Sequence, residues 1–233
     1  MKNKDISQLS DAELPPEKED FRESFQWRIF RIMAEFIEGF QFVADFKEKS
    51  VAVFGSSRFK EGNPNYEKAR RFGNLLAENG FSVVTGGGPG IMEGANRGVY
   101  EKEGESIGIN IQLTEGERAN SYMNRSIGFY YFFTRKVMLS FASSGYVFFP
   151  GGFGTMDELF EVVTLLQTKK IPWPVCVVVV GRDFWEPVLS WFKEKLLEEY
   201  ETISQEDLDI IQIVDTPEEA IKIIKDNFED QQK

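Results

Sequence analysis

The residues best suited to chemistry lie in one run, Val147-Phe148-Phe149-Pro150-Gly151-Gly152-Phe153-Gly154-Thr155-Met156-Asp157-Glu158, where an apolar stretch meets a glycine turn and then a helical pattern. A strand entering a helix through such a turn leaves the first backbone N–H groups of the helix without intrahelical acceptors. Their partial positive charge favours an anion such as phosphate or carboxylate. Gly151, Gly152 and Gly154 let that anion approach the backbone closely. Glu158 adds a carboxylate at the mouth of the same site. Thr155 and Glu158 also have the T-x-x-E spacing of a capping box, in which Glu158 reaches back to the Thr155 N–H and serves only the helix. Acidic groups at 157 and 158 repel a phosphate unless a cation offsets them or the carboxylate faces another part of the ligand. Arg135-Lys136 supplies candidate cations: Arg135 would pair with Glu158, contact ligand phosphate, or both. The plainer reading of that pair is a solvated surface. The chain contains no histidine, the usual general base and commonest metal ligand, so carboxylates must carry any acid–base work. A zinc site is not expected, and a magnesium site would have to use carboxylates and substrate phosphate.

These residues need a frame that brings them together. Gly55-Ser56-Ser57-Arg58 follows the apolar run Val51 to Phe54, and Gly86-Gly87-Gly88-Pro89-Gly90 follows Phe81 to Thr85. Taken singly, each is adequately explained as a tight turn. Neither is a G-x-G-x-x-G fingerprint with an acidic residue in the expected place, so dinucleotide binding is not indicated. The pattern continues as strands of continuous apolar character alternating with helices. Strands are expected at 51–54, 81–85, 106–111, 127–133, 146–149, 174–180 and 210–214. Helices are expected at 65–78, 89–102, 134–142, 155–168, 184–199 and 217–228. Such alternation implies one doubly wound, Rossmann-like α/β domain over 50–230, with a mostly parallel sheet and helices on both faces. Ligands bind such sheets outside the carboxyl ends of the strands, so the three glycine turns would line one crevice.

Residues 1–20 are polar, carry Pro15-Pro16 and lack periodicity, which reads as a flexible tail. Phe21, Phe25, Ile29, Ile32, Phe36, Phe40 and Val43 then recur at steps of three and four, predicting an amphipathic N-terminal helix over 21–49. Trp27, Phe30, Ala34 and Ile37 widen its apolar surface, so it either wraps its own domain or also covers a second copy in a homodimer or larger assembly.

Composition narrows the partners. Lys and Arg total 27 against 38 Asp and Glu, a formal net charge of -11, so nucleic acid polymers are repelled at long range while a small phosphorylated ligand remains compatible. The single cysteine, Cys176, lies in the apolar run Val175 to Val180 and reads as core, which excludes a disulfide within the chain and points to a reducing, cytoplasmic compartment. That run is far shorter than the roughly 18 residues a membrane helix needs, so no membrane partner is expected.

Arg135-Lys136 followed by Pro150-Gly151-Gly152-Phe153-Gly154-Thr155-Met156-Asp157-Glu158 resembles the LOG (lonely guy) family, long mislabelled as lysine decarboxylases, whose signature is P-G-G-x-G-T-x-x-E. The resemblance runs from about Val51 to Phe228. It implies a phosphoribohydrolase that cleaves the N-glycosidic bond of a nucleoside 5'-monophosphate, such as a cytokinin riboside monophosphate or AMP, with no cofactor. Carried onto this chain, it makes Arg135 and Glu158 the catalytic pair. Lys136, Gly151, Gly152, Gly154, Thr155 and Thr164 become substrate contacts, joined by Gly55, Ser56, Gly87 and Gly88 of the other two turns. Plant-type members carry a Met-His pair shortly before the Arg-Lys pair, where this chain has Phe132-Phe133-Thr134, so base preference does not carry over. Tyr130, Tyr131 and Phe133 are candidates for stacking on a purine, or core residues. The alternative implied by the same scaffold is a non-catalytic nucleotide or molybdenum cofactor carrier, which would use the anion site without needing Glu158.

Overall fold

A computed structural model describes residues 25–45, 49–112, 119–171 and 175–230. The expected tail at 1–20 and residues 21–24 and 46–48 of the expected 21–49 helix lie outside the described residues; Lys49 is described and is not helical. Helix α1 (Phe25–Ala44) precedes β1 (Ser50–Phe54), α2 (Pro64–Glu78), β2 (Ser82–Thr85), α3 (Ile91–Tyr100), β3 (Ser106–Ile111) and β4 (Arg125–Phe129). The chain continues through α4 (Phe132–Phe141), β5 (Gly145–Phe148), α5 (Phe153–Gln167), β6 (Cys176–Val180) and α6 (Arg182–Trp191). It closes with α7 (Gln205–Leu208), β7 (Ile211–Val214) and α8 (Pro217–Asp230). No helix among the described residues is long and apolar enough to cross a membrane.

All seven strands are parallel, in the order β4-β3-β2-β1-β5-β6-β7. The central strands β1, β2, β5 and β6 are buried along their whole length, which is why their sequences are continuously apolar, whereas the edge strands β4 and β7 alternate with exposed positions. Alternation within a strand splits the core in two. Val51 and Val53 face a layer built from Phe72 and Leu76 of α2, Ile91 and Val99 of α3, and Ile224 and Phe228 of α8. Ala52 and Phe54 face the other layer, with Met138 and Leu139 of α4, Leu159 and Val162 of α5, and Trp185 of α6.

Phe36, Phe42 and Val43 of α1 pack against this second layer. A β-carbon on Gly39 would come within 2.7 Å of Met138 Sδ, so the absence of a side chain there sets how closely α1 approaches α4. The opposite face of α1 leaves Phe30, Met33 and Ile37 exposed.

Several boundaries differ from the sequence pattern, and two matter for the site. The strand expected at 127–133 ends at Phe129, and α4 begins at Phe132. Helix α5 begins at Phe153 with Gly152 as its cap residue, not at Thr155. The helix expected over 184–199 is α-helical only to Trp191 and continues as a π-helical segment over Phe192–Glu199. Helix α7 was not expected; Ser204 and Asp207 close a reciprocal capping box at its start.

Candidate active site

The sheet order reverses between β1 and β5, so the turns that follow these two strands diverge to opposite faces and open a crevice between them. Backbone bonds fix the crevice walls: the Ser56 N–H donates to Pro150 O at 3.0 Å, and the Ile91 N–H donates to Ser56 O at 3.0 Å. The resulting cleft has a volume of about 950 Å³. The β1 and β5 turns, the first turns of α4 and α5, and Asp183 and Phe184 of α6 all line it.

On its floor, the first intrahelical bond of α5 runs from Met156 N–H to Gly152 O, which leaves the N–H groups of Phe153, Gly154 and Thr155 without acceptors in the helix. Gly151 permits this geometry, because a β-carbon there would collide with the side chain of Thr155, which is buried against the turn.

Because α5 starts at Phe153, Glu158 lies beyond its first turn, and no side chain caps the helix. The capping-box expectation for Thr155 and Glu158 is therefore overturned: Thr155 already has helical geometry, and Glu158 cannot bond a cap residue it does not follow by three. The carboxylate is instead 8% exposed, lines the cleft, and its Oε2 has no hydrogen-bond partner among the described residues. Burial pushes this carboxyl up from the ordinary 4.5 to about 7; Lys136 and Arg135 draw it back down, while Asp157 adds to the rise. A buried carboxylate with an unmet acceptor is costly to the free protein.

Arg135 reaches the cleft from α4. Its Nε donates to Ile109 O at the end of β3 at 2.8 Å, and the guanidinium lies 5.7 Å from the ring centroid of Phe132. It also runs across Gly86, where a β-carbon would collide with Nη2. The second glycine turn thus makes room for the arginine. A buried polar network holds that turn in place. Thr85 Oγ1 donates to Asn96 Oδ1 at 2.6 Å and accepts from the Gly87 N–H at 2.9 Å. Asn120 Nδ2 donates to Gly88 O and to Asn96 Oδ1, both at 3.0 Å.

Of the residues singled out from sequence, Arg135, Glu158, Gly151, Gly152, Gly154, Thr155, Gly55, Ser56 and Gly88 line the cleft. Three others fall elsewhere. Lys136 binds α5 instead, with Nζ 2.6 Å from Asp157 Oδ2 and 2.9 Å from Glu161 Oε2. Gly87 backs the turn behind the wall, with its N–H on Thr85 and its carbonyl accepting from the Asn120 N–H. Thr164 is exposed on α5, outside the cleft. Of the aromatic run, Phe132 faces the cleft, while Tyr130, Tyr131 and Phe133 do not; Tyr130 lies under the Arg31 guanidinium at 3.8 Å. Sequence reasoning missed Phe132, Ile111, Asn65 and the Asp183-Phe184 pair; Ile111 closes β3 and Phe132 and Asp183-Phe184 closely follow β4 and β6, so their signal was a place at the carboxyl ends of strands, whereas Asn65, in the first turn of α2, gave none. No group of three or more carboxylate or Cys side chains that could hold a metal occurs among the described residues.

The parallel doubly wound sheet, with a glycine turn and a buried carboxylate at its switch point, defines a Rossmann-like α/β protein. The chain belongs to the LOG family: the family pattern described as "possible lysine decarboxylase" matches residues 92–224. It is 30% identical over 163 residues to a rice (Oryza sativa subsp. japonica) protein named probable cytokinin riboside 5'-monophosphate phosphoribohydrolase, covering 64% of this chain and 61% of that one. An Arabidopsis thaliana cytokinin riboside 5'-monophosphate phosphoribohydrolase is 29% identical over 192 residues, 77% of this chain and 83% of its own length. Among solved structures, the molybdenum cofactor binding protein of Rippkaea orientalis shares the fold, with a TM-score of 0.59 at 20% identity over 78% of this chain and 98% of that one.

Proposed function

We propose that the protein is a hydrolase that cleaves the N-glycosidic bond of a nucleoside 5'-monophosphate, releasing the free base and ribose 5-phosphate. The observation that carries this reading is Glu158, a cleft-lining carboxylate that is buried, has an oxygen without a hydrogen-bond partner among the described residues, and is released from any capping duty. The N–H groups of Phe153, Gly154 and Thr155 receive the 5'-phosphate. Glu158 then faces the ribose. Breaking the C1'–N bond builds positive charge on the sugar, and an ionised carboxylate stabilises that charge or orients the water that adds to C1'. The bonding electrons leave with the base, which takes up a proton; Arg135, which lines the cleft, stabilises the negative charge developing there and, with Lys136, favours the ionised form of Glu158. Names of the rice and Arabidopsis relatives support this class of reaction and make cytokinin riboside monophosphates, with AMP, the first substrates to test.

The test is direct. Purified protein is incubated with AMP, other nucleoside monophosphates and N6-isopentenyl-AMP, and base release is followed by chromatography. Release from at least one is the expected result; release from none refutes the reading. A carrier role is the second reading, supported by the fold shared with a molybdenum cofactor binding protein. It predicts tight ligand binding that is indifferent to Glu158→Gln. We also propose a homodimer through the exposed face of α1, where Phe30, Met33 and Ile37 would otherwise meet water. Sedimentation of a Phe30→Ser, Ile37→Ser variant should show a monomer, and an unchanged oligomer rules this interface out.

A further inference from the structure

We infer that Glu35, on the N-terminal helix, is a positioning residue for Arg135. The inference rests on the reading of Arg135 as part of the catalytic site. Glu35 is buried, and its carboxylate is used entirely at the start of α4. Oε1 accepts the Tyr130 N–H at 2.8 Å, while Oε2 accepts the Tyr131 N–H at 3.3 Å and the Thr134 hydroxyl at 2.6 Å. Its only charged neighbour among the described residues is Arg31, 3.9 Å away on the same helix.

Helix α4 cannot supply this function itself. Its cap residue is Tyr131, whose side chain makes no capping hydrogen bond, and its first turn contains no acidic residue. A carboxylate beside a helix N-terminus complements the helix dipole; here it comes from another helix, 99 residues away in sequence from Thr134, and holds the two N–H groups that lead into α4 together with the Thr134 hydroxyl. The turn it caps is the turn that matters. Phe132 and Arg135, both cleft-lining, flank Thr134, which is fully buried and pinned by Glu35. Helix α4 also begins at Phe132 because of this bond, where aromatic propensity alone extends the strand. Loss of Glu35 leaves the Tyr130 and Tyr131 N–H groups without their acceptor and the Thr134 hydroxyl with only Tyr131 O, at 2.8 Å, frays the first turn of α4, and frees the Arg135 backbone to drift from Ile109 O and Gly86. The N-terminal helix is therefore part of the frame of the active site as well as a cover for the sheet.

The experiment compares Glu35→Leu, which removes all acceptors, Glu35→Gln, which keeps an acceptor oxygen, and Thr134→Val, each alone and combined with Arg135→Ala. Initial rates on the best monophosphate substrate give kcat and KM, and hydrogen exchange by mass spectrometry follows the peptide spanning residues 128–138. Glu35→Leu should lower kcat at least tenfold and speed exchange in that peptide, with Glu35→Gln restoring most of both. In the Arg135→Ala background the same change should cost less than twofold. An equal fold-loss in both backgrounds, or normal kcat despite fast exchange, overturns the inference and leaves Glu35 as a structural cap. Should Glu35→Leu fail to fold, the Thr134→Val cycle and Glu35→Gln decide by the same criteria. If the wild type releases no base, the proposed function has failed separately. Exchange then decides alone: slow exchange retained at 128–138 in every Glu35 variant overturns the inference.

Discussion

Replacing Glu158 by Gln should abolish turnover and stabilise the free protein, and the second effect has a pH signature that can be worked out. The Glu158 carboxyl is pushed from 4.5 to about 7 because its charged form is buried, so the folded state binds that proton more tightly than the unfolded chain. Between these two values the folded state holds more protons, and stability therefore falls as pH rises. The contribution is intact below pH 4.5 and is lost as pH rises through about 7. At about 1.4 kcal/mol per tenfold change in proton affinity, ionised Glu158 costs the fold on the order of 3 kcal/mol at pH 8. Gln never ionises, but its amide leaves polar atoms in the same partly unmet environment, which discounts the gain to roughly 1–3 kcal/mol. Urea unfolding at pH 6 and pH 8 should show Glu158→Gln the more stable protein at both, with the gap about 1 kcal/mol wider at pH 8. In parallel, kcat should fall on the order of 10² or more while AMP still binds. A variant less stable than wild type at pH 8, by the ~1 kcal/mol typical of a lost cap, or a gap that ignores pH, would refute the account of Glu158 as a desolvated catalytic carboxylate.

On the proposed reaction, kcat/KM for the best nucleoside monophosphate substrate should rise with pH through about 7, since the ionised form of this carboxyl is the one that stabilises a sugar cation; a profile that falls over this range would make Glu158 an acid instead. Gly86→Ala places a methyl group where Arg135 Nη2 lies, so initial rates should drop at least tenfold with little change in thermal midpoint. Thr85→Val removes the acceptor for the Gly87 N–H and the donor to Asn96 in a buried network, and chemical unfolding should show a loss of about 1–3 kcal/mol. Phe132→Ala should raise KM for purine monophosphates while leaving ribose 5-phosphate inhibition unchanged, because the ring lines the cleft from α4 beside the Arg135 guanidinium and the phosphate is assigned to the first turn of α5.

Much of the frame was legible because its signals are local. Continuous apolar runs bounded by glycine marked β1, β2, β3, β5 and β6 to within two residues, since strands buried on both faces need no alternation. Capping chemistry was read less well. T-x-x-E at 155–158 looked like a box and is not one, because the glycine turn lets α5 start two residues earlier; S-x-x-D at 204–207 is a true box on a helix too short to leave a periodic pattern. Aromatic propensity extended β4 into α4 for want of a visible cap, since the cap is Glu35, far away in sequence.

By itself, the sequence determined the layered α/β architecture, the three glycine turns at strand ends and the identity of Glu158 and Arg135 as the groups worth following. Each rests on periodicity, turn chemistry or a short motif, all encoded within a few residues. Only the tertiary structure decided that Lys136 turns to Asp157 and Glu161, that Phe132 and not its neighbours faces the cleft, that Gly86 makes room for Arg135, and that Glu158 is buried with its Oε2 lacking a hydrogen-bond partner among the described residues. Those outcomes depend on which helices pack against which sheet face, and burial and pairing are properties of that packing.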